Sequence, residues 1–160
     1  MKYIFFQIIF SLHCIFCFNQ TFSNDNRNLE EIQNILAPLD SMDMKAFNIF
    51  NQIYLNGNQF ITQYPSINKI AEKQKLVLNQ TIDMKKLLEM LYWCQDYKTQ
   101  SLIVDMFDIK KRRLNNILDE LEIYIGHSKH PKTNKLIKQF KNYINVYISE
   151  SLRIKRMIYN

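Results

Sequence analysis

An all-α fold, a bundle of five to six helices, is what this chain predicts, on three observations. Apolar residues recur at steps of three and four along most of its length, the period of a helix with one buried face. Gly and Pro number only 2 and 3 in 160 residues, so turns are few and long elements are favoured. Alternating apolar and polar runs, the mark of half-buried strands, are scarce. A single domain over residues 24–160 follows, large enough for one core and too small for two.

The amino terminus stands apart. Lys2 precedes an apolar run from Tyr3 to Phe18, broken only by Gln7, Ser11 and His13. A charged start and a short apolar stretch match a secretory signal peptide over residues 1–18, with cleavage as late as residue 23. The run is shorter than the roughly 20 residues that span a bilayer. The alternatives are an uncleaved membrane anchor through residues 3–18, and lipid modification at Cys14 or Cys17. Loss of the signal leaves Cys94 as the single thiol, so no disulfide forms within the chain. Its place on an apolar face beside Trp93 reads as a buried, inert cysteine, with pairing between chains as the other option. Asn-Gln-Thr occurs at Asn19 and Asn79; Asn79 is the better glycan acceptor, at an expected turn between helices.

The helices follow in order. Leu29, Ile32, Ile35 and Leu36 make a short helix ending before Pro38, since proline lacks the N–H that a helix interior needs. Asp40 or Ser41 caps a second, with Met44, Phe47, Phe50, Ile53 and Tyr54 inward, which stops at Asn56-Gly57-Asn58. After a loop closed by Pro65, Ser66 caps a third carrying Ile67, Ile70, Ala71, Val77 and Leu78. Thr81 then caps the central stretch to Ile125, striped by Met84, Leu87, Leu88 and Leu91, then Leu102, Ile103, Met106 and Phe107, then Leu114 to Leu121. The polar run Gln95–Ser101 divides it, and Gly126 stands where a carboxyl-terminal cap belongs. A last helix, Lys132 to Tyr159, turns Leu136, Ile137, Phe140, Tyr143, Ile144, Tyr147, Ile148 and Leu152 inward.

Charge is unevenly spread. Residues 1–100 hold 9 Lys/Arg and 9 Asp/Glu while residues 101–160 hold 12 and 6, so the whole net charge of +6 lies in the last 60 residues. That imbalance points to a negatively charged partner: an acidic protein face or a sulfated glycan before nucleic acid. The candidate contacts are Lys110, Lys111, Arg112 and Arg113, then Lys132, Lys135, Lys138 and Lys141, then Arg153, Lys155 and Arg156. The first four are consecutive, about 100° apart, so they encircle their helix and cannot all meet one ligand. The second four recur every third residue and wind slowly along one side. Nucleic-acid recognition wants exposed aromatics between the charges, and Tyr143 and Tyr147 are expected inward.

Catalytic signals are missing from the sequence. No phosphate-cradling glycine loop, nucleophile elbow or acid/base carboxylate pair occurs. Asp119, Glu120 and Glu122 fall on a polar helix side. His127 and His130 have no Cys, Asp or Glu near enough in sequence to complete a metal shell. No enzyme, metal or cofactor is expected.

The closing helix, Phe140-Lys141-Asn142-Tyr143-Ile144-Asn145-Val146-Tyr147-Ile148, resembles the last helix of the interleukin-10 and interferon group of helical cytokines. That group also has unequal helices and a basic carboxyl end; the paired cysteines of interleukin-10 are absent here. The resemblance covers about 20 residues and implies a four-helix-bundle, receptor-binding ligand, with a homodimer as one form. The expectation is a secreted binding protein directed at a receptor or other host protein. Its competitors are a membrane-anchored structural subunit and a small apolar-ligand carrier with a gap lined by Phe47, Phe50, Trp93 and Phe107.

Overall fold

The computed structural model describes residues 26–58, 66–127 and 131–159. The signal or anchor segment, Asn19, His130 and the 59–65 connection lie outside them, as does the side chain of His127. Four helices account for nearly all that is described: α1 (Asn26–Asn58), α2 (Ser66–Trp93), α3 (Tyr97–His127) and α4 (Pro131–Tyr159). The chain divides between Gln33 and Asn34 into two units. Of the first, residues 26–33 are described, and they are helical. The second holds the rest of α1 and the whole of α2, α3 and α4.

Ion pairs set the topology of this second unit. Asp83 and Lys73 of α2 meet Lys110 and Glu120 of α3, and the two pairs are ten residues apart on both helices. The pairs Asp108–Lys155 and Glu122–Lys141 are likewise fourteen apart on α3 and on α4. Matching separations in opposite directions mean antiparallel neighbours in register. Asp40 pairs with Lys85, and Asp43 lies beside Thr81, so α1 runs antiparallel to α2. The second unit is an up-down-up-down helical bundle.

Two expected breaks are absent, which is why four helices stand where five or six were anticipated. The first is at Pro38, which lies inside α1. A proline in a helix interior costs about 3 kcal/mol. Leu36 and Leu39, on either side, are almost wholly buried, and each buried leucine contributes about 1.5–3 kcal/mol, so packing carries the helix through. The second is at Asn79-Gln80-Thr81, where α2 continues unbroken. Thr81 is no cap. It is fully buried in mid-helix, its hydroxyl donating to the Leu78 carbonyl at 2.8 Å. The Tyr147 hydroxyl of α4 donates to the Thr81 carbonyl at 2.7 Å. Thr81, which reads as a cap, is thus satisfied inside the bundle at both its hydroxyl and its carbonyl.

The break expected within Gln95–Ser101 falls at Cys94–Asp96. Asp96 makes it: its Oδ2 accepts from the Thr99 N–H at 2.8 Å and the Thr99 hydroxyl at 2.6 Å, an N-cap for α3. Gln100 adds a bond from Nε2 to the Cys94 carbonyl at 2.6 Å. Asp96→Ala should cost about 1 kcal/mol of stability, the usual worth of such a cap, measured as a lowered urea midpoint with unchanged slope. Gly126 sits one residue inside the end of α3 and adopts no positive φ. Cys94 is half-buried rather than enclosed.

The core holds most of the anticipated stripe. Met84, Leu88, Leu91, Ile103, Phe107, Leu114, Leu121, Ile137, Phe140, Ile144 and Tyr147 are almost fully buried. In α1 the phase differs. Leu39, Ala46, Ile49 and Ile53 are buried, while Met44, Phe47 and Tyr54 are exposed. Two apolar stripes interleave on this helix, and the small Ala46 marks the inner one. The inner stripe, stepping by four and three through Leu36 and Leu39, also passes through Asp43.

Candidate partner-binding face

The basic residues singled out in the sequence do not form one patch. Lys110 turns toward α2 and donates to Asp83 Oδ2 at 2.6 Å. Lys111 lies 3.8 Å from Asp108. Lys155 donates to Asp108 Oδ1 at 3.0 Å, with its ammonium 5.2 Å from the centre of the Phe107 ring. Lys141 is held by Glu122, whose carboxyl is kept below its usual range by that hydrogen bond. Arg153 forks onto Glu150 at 2.6 and 3.0 Å, and a shallow depression on α4 surrounds it, lined by Ser149, Arg156 and Met157. Five of the eleven candidate contacts are therefore already paired with carboxylates, at or near the surface, where such contacts contribute about 0–1 kcal/mol.

Arg112, Arg113, Lys132, Lys135, Lys138 and Arg156 are exposed, and no ion pair holds them among the described residues. Arg112 and Arg113 matter most because of what lies beside them. Leu102, Ile109 and Ile123 are 48, 54 and 62% exposed. With Asn116 they are seven residues apart, so they line one outward side of α3 over 21 residues, or about 31 Å at 1.5 Å per residue. Asp108 and Glu122 mark the flank toward α4, and Lys110 the flank toward α2; the Leu102–Ile123 line lies between them, facing away from the core. The sequence pattern places Leu102 inward, with Ile103. The structure buries Ile103 and turns Leu102 out, since adjacent helical residues are 100° apart and only one can face the core.

Asn79 is exposed on α2, in mid-helix rather than at a turn. Asp119 and Glu120 are exposed, Glu120 paired with Lys73. Phe47 and Phe50 share a face of α1, whereas Phe107 is fully buried and Trp93 packs edge-on against Tyr92. Among the described residues no cluster of His, Cys, Asp or Glu could hold a metal, and no helix is long and apolar enough to cross a membrane.

A buried polar group that joins three helices escapes the sequence pattern. Asp43 of α1 lies against Thr81 of α2 and near Tyr147 of α4. One of its carboxylate oxygens is buried without a hydrogen-bond partner. Burial pushes its pKa up to about 6, against the opposing pull of Thr81 and of Lys85. Burial, with the Asp43 charge, pushes the Tyr147 phenol up as well. The signal was available, because Asp43 occupies an inward place in the four-three stripe of α1.

No protein-family model matches this chain, nor does any curated protein or solved structure.

Proposed function

We propose that the protein is a secreted, non-enzymatic binding protein, a cytokine-like receptor ligand or an effector acting on host proteins, and that it meets its partner through the outward side of α3. One observation carries this reading: Leu102, Ile109 and Ile123 stand exposed in line on a long helix, bordered by Arg112 and Arg113. An apolar centre with arginine at its edge is the composition of interface hot spots. Helix α3 is held on both flanks by salt bridges, so little ordering entropy opposes binding. The complementary surface is apolar at its middle and carries both charges at its margin, because the exposed Asp105 and Asp119 border the same line as Arg112 and Arg113. Lys132, Lys135 and Lys138 lie on the adjoining helix and raise the encounter rate by long-range attraction.

Affinity capture of extracellular and cell-surface proteins tests this, with Ile109→Glu and the R112E/R113E double variant run beside the wild type. The expected result is a partner retained by the wild type and bound at least about tenfold more weakly by each variant, a loss of about 1.4 kcal/mol. Replacing Lys135 and Lys138 with Glu should slow association and leave dissociation nearly unchanged. Equal retention of the same partners by all of these proteins would overturn the reading.

A further inference from the structure

Helix α1 carries a second apolar face that its own bundle does not cover. Met44 and Phe47 are 68 and 50% exposed, and Tyr54 and Leu55 are exposed too. Phe47, Phe50 and Tyr54 form a ladder with ring centres 6.2 Å apart at each step. Asp40, Phe47 and Tyr54 are seven residues apart, so Phe47 and Tyr54 share the side of α1 on which Asp40 meets Lys85. On α2, Lys85, Leu78 and Ala71 repeat the same spacing. The antiparallel register thus sets Phe47 beside Leu78 and Tyr54 beside Ala71, with the exposed Ile82 one turn on from Leu78. An apolar seam runs along the outside of α1 and α2.

We propose that a second copy of this chain covers that seam, giving a two-fold dimer in which α1 packs antiparallel on its counterpart. Charge favours this pairing over any other. Residues 34–93 hold six Lys/Arg and five Asp/Glu, whereas α3 and α4 hold twelve and six. Nearly all the net charge therefore lies on the far side, and a dimer through α1 and α2 keeps the two basic halves apart. With neighbouring helices 8–10 Å apart, that separation is about 20 Å or more, beyond the screening length of about 8 Å at physiological salt. Any pairing through α3 and α4 would press like charges together. From Ala46 to Asn58, α1 has no Asp, Glu, Lys or Arg at all.

Shape favours it as well. The stripe reads Met44, Phe47, then Tyr54, Leu55, nearly symmetric about Phe50, next to Asn51. An antiparallel copy brings Phe47 against Tyr54 and Met44 against Leu55, the self-complementarity that a two-fold interface requires. The five exposed apolar side chains, Ile82 included, offer roughly 100 Å² each, or about 1,000 Å² over both copies, the lower bound for a specific interface. The dimer is independent of the α3 face and presents two copies of it outward.

Sedimentation equilibrium of the purified full chain tests this. A dimer in the micromolar range is expected, with F47E/Y54E monomeric at the same concentration and Ile109→Glu still dimeric. The circular dichroism melt of F47E/Y54E should match the wild type. In a Cys94→Ser background, Asn51→Cys should oxidise to a disulfide-linked dimer, because the two-fold axis passes beside it. A wild type still monomeric at high micromolar concentration, a dimer that survives F47E/Y54E, or failure of Asn51→Cys to cross-link would each overturn the proposal. Partner capture by a monomeric wild type would leave the α3 reading standing, so the two fail separately.

Discussion

Phe107→Ala is expected to lower stability by about 3–5 kcal/mol, the cost of emptying a fully buried aromatic site. Phe107 is almost completely enclosed on α3. Lys155 crosses its ring and reaches Asp108, so truncation leaves a cavity and strips the lysine of its aromatic contact. A domain of this size commonly has a stability of about 5–15 kcal/mol, so one residue removes a large part of it. The melting temperature should fall by about 10 °C, at roughly 2–4 °C per kcal/mol. Phe107→Leu, which keeps most of the volume, should cost less than half as much. A fall below about 1 kcal/mol for the alanine variant would mean that α3 does not pack as described.

Asp43→Asn is expected to stabilise the protein at pH 7. The folded carboxyl, pushed up to about 6 by burial, binds its proton more tightly than in the unfolded chain, where the ordinary value is 3.8. A raised pKa contributes stability that is complete below about pH 3.8 and is lost as pH rises through about 6. At neutral pH the ionised, partly buried carboxylate is therefore a net cost. The full shift corresponds to about 3 kcal/mol at 1.36 kcal/mol per unit, and screening of this partly exposed group reduces that to about 1–2 kcal/mol. Asparagine keeps the shape and removes the charge. The gain over wild type should be largest at pH 7, shrink through pH 6 and vanish near pH 4. Urea titrations of both proteins across that range measure it. Glu122 and Glu150 have the opposite sign, held low by Lys141 and Arg153, and their contributions fade only below the ordinary carboxylate range. A flat difference between the two proteins would place Asp43 in water rather than among Thr81 and Tyr147.

The helical stripes from Met84 to Leu91, from Leu114 to Leu121 and from Ile137 to Ile148 were legible because each has one apolar face and no competing pattern. The pause at Cys94–Asp96 was legible from its polar run. Pro38 and Thr81 misled because their local preferences are real but small beside the packing of Leu36, Leu39 and Tyr147 around them. In α1 the two stripes carry almost equal hydrophobic weight, so phase could not be chosen without knowing which side meets α2 and α4. The four consecutive basic residues of α3 were expected to diverge, and they do. Which of them would find a carboxylate depended on Asp83 and Asp108, and pairing at that distance is a property of the fold.

The proposed function rests on the outward side of α3 being the surface that meets the partner. A photo-reactive side chain placed at Ile109, and in a second protein at the exposed Val146 of α4, tests it on living cells or with the captured partner. A covalent adduct to the partner is expected from position 109, with little or none from position 146. An adduct from position 146 with none from position 109 would contradict a binding surface on α3.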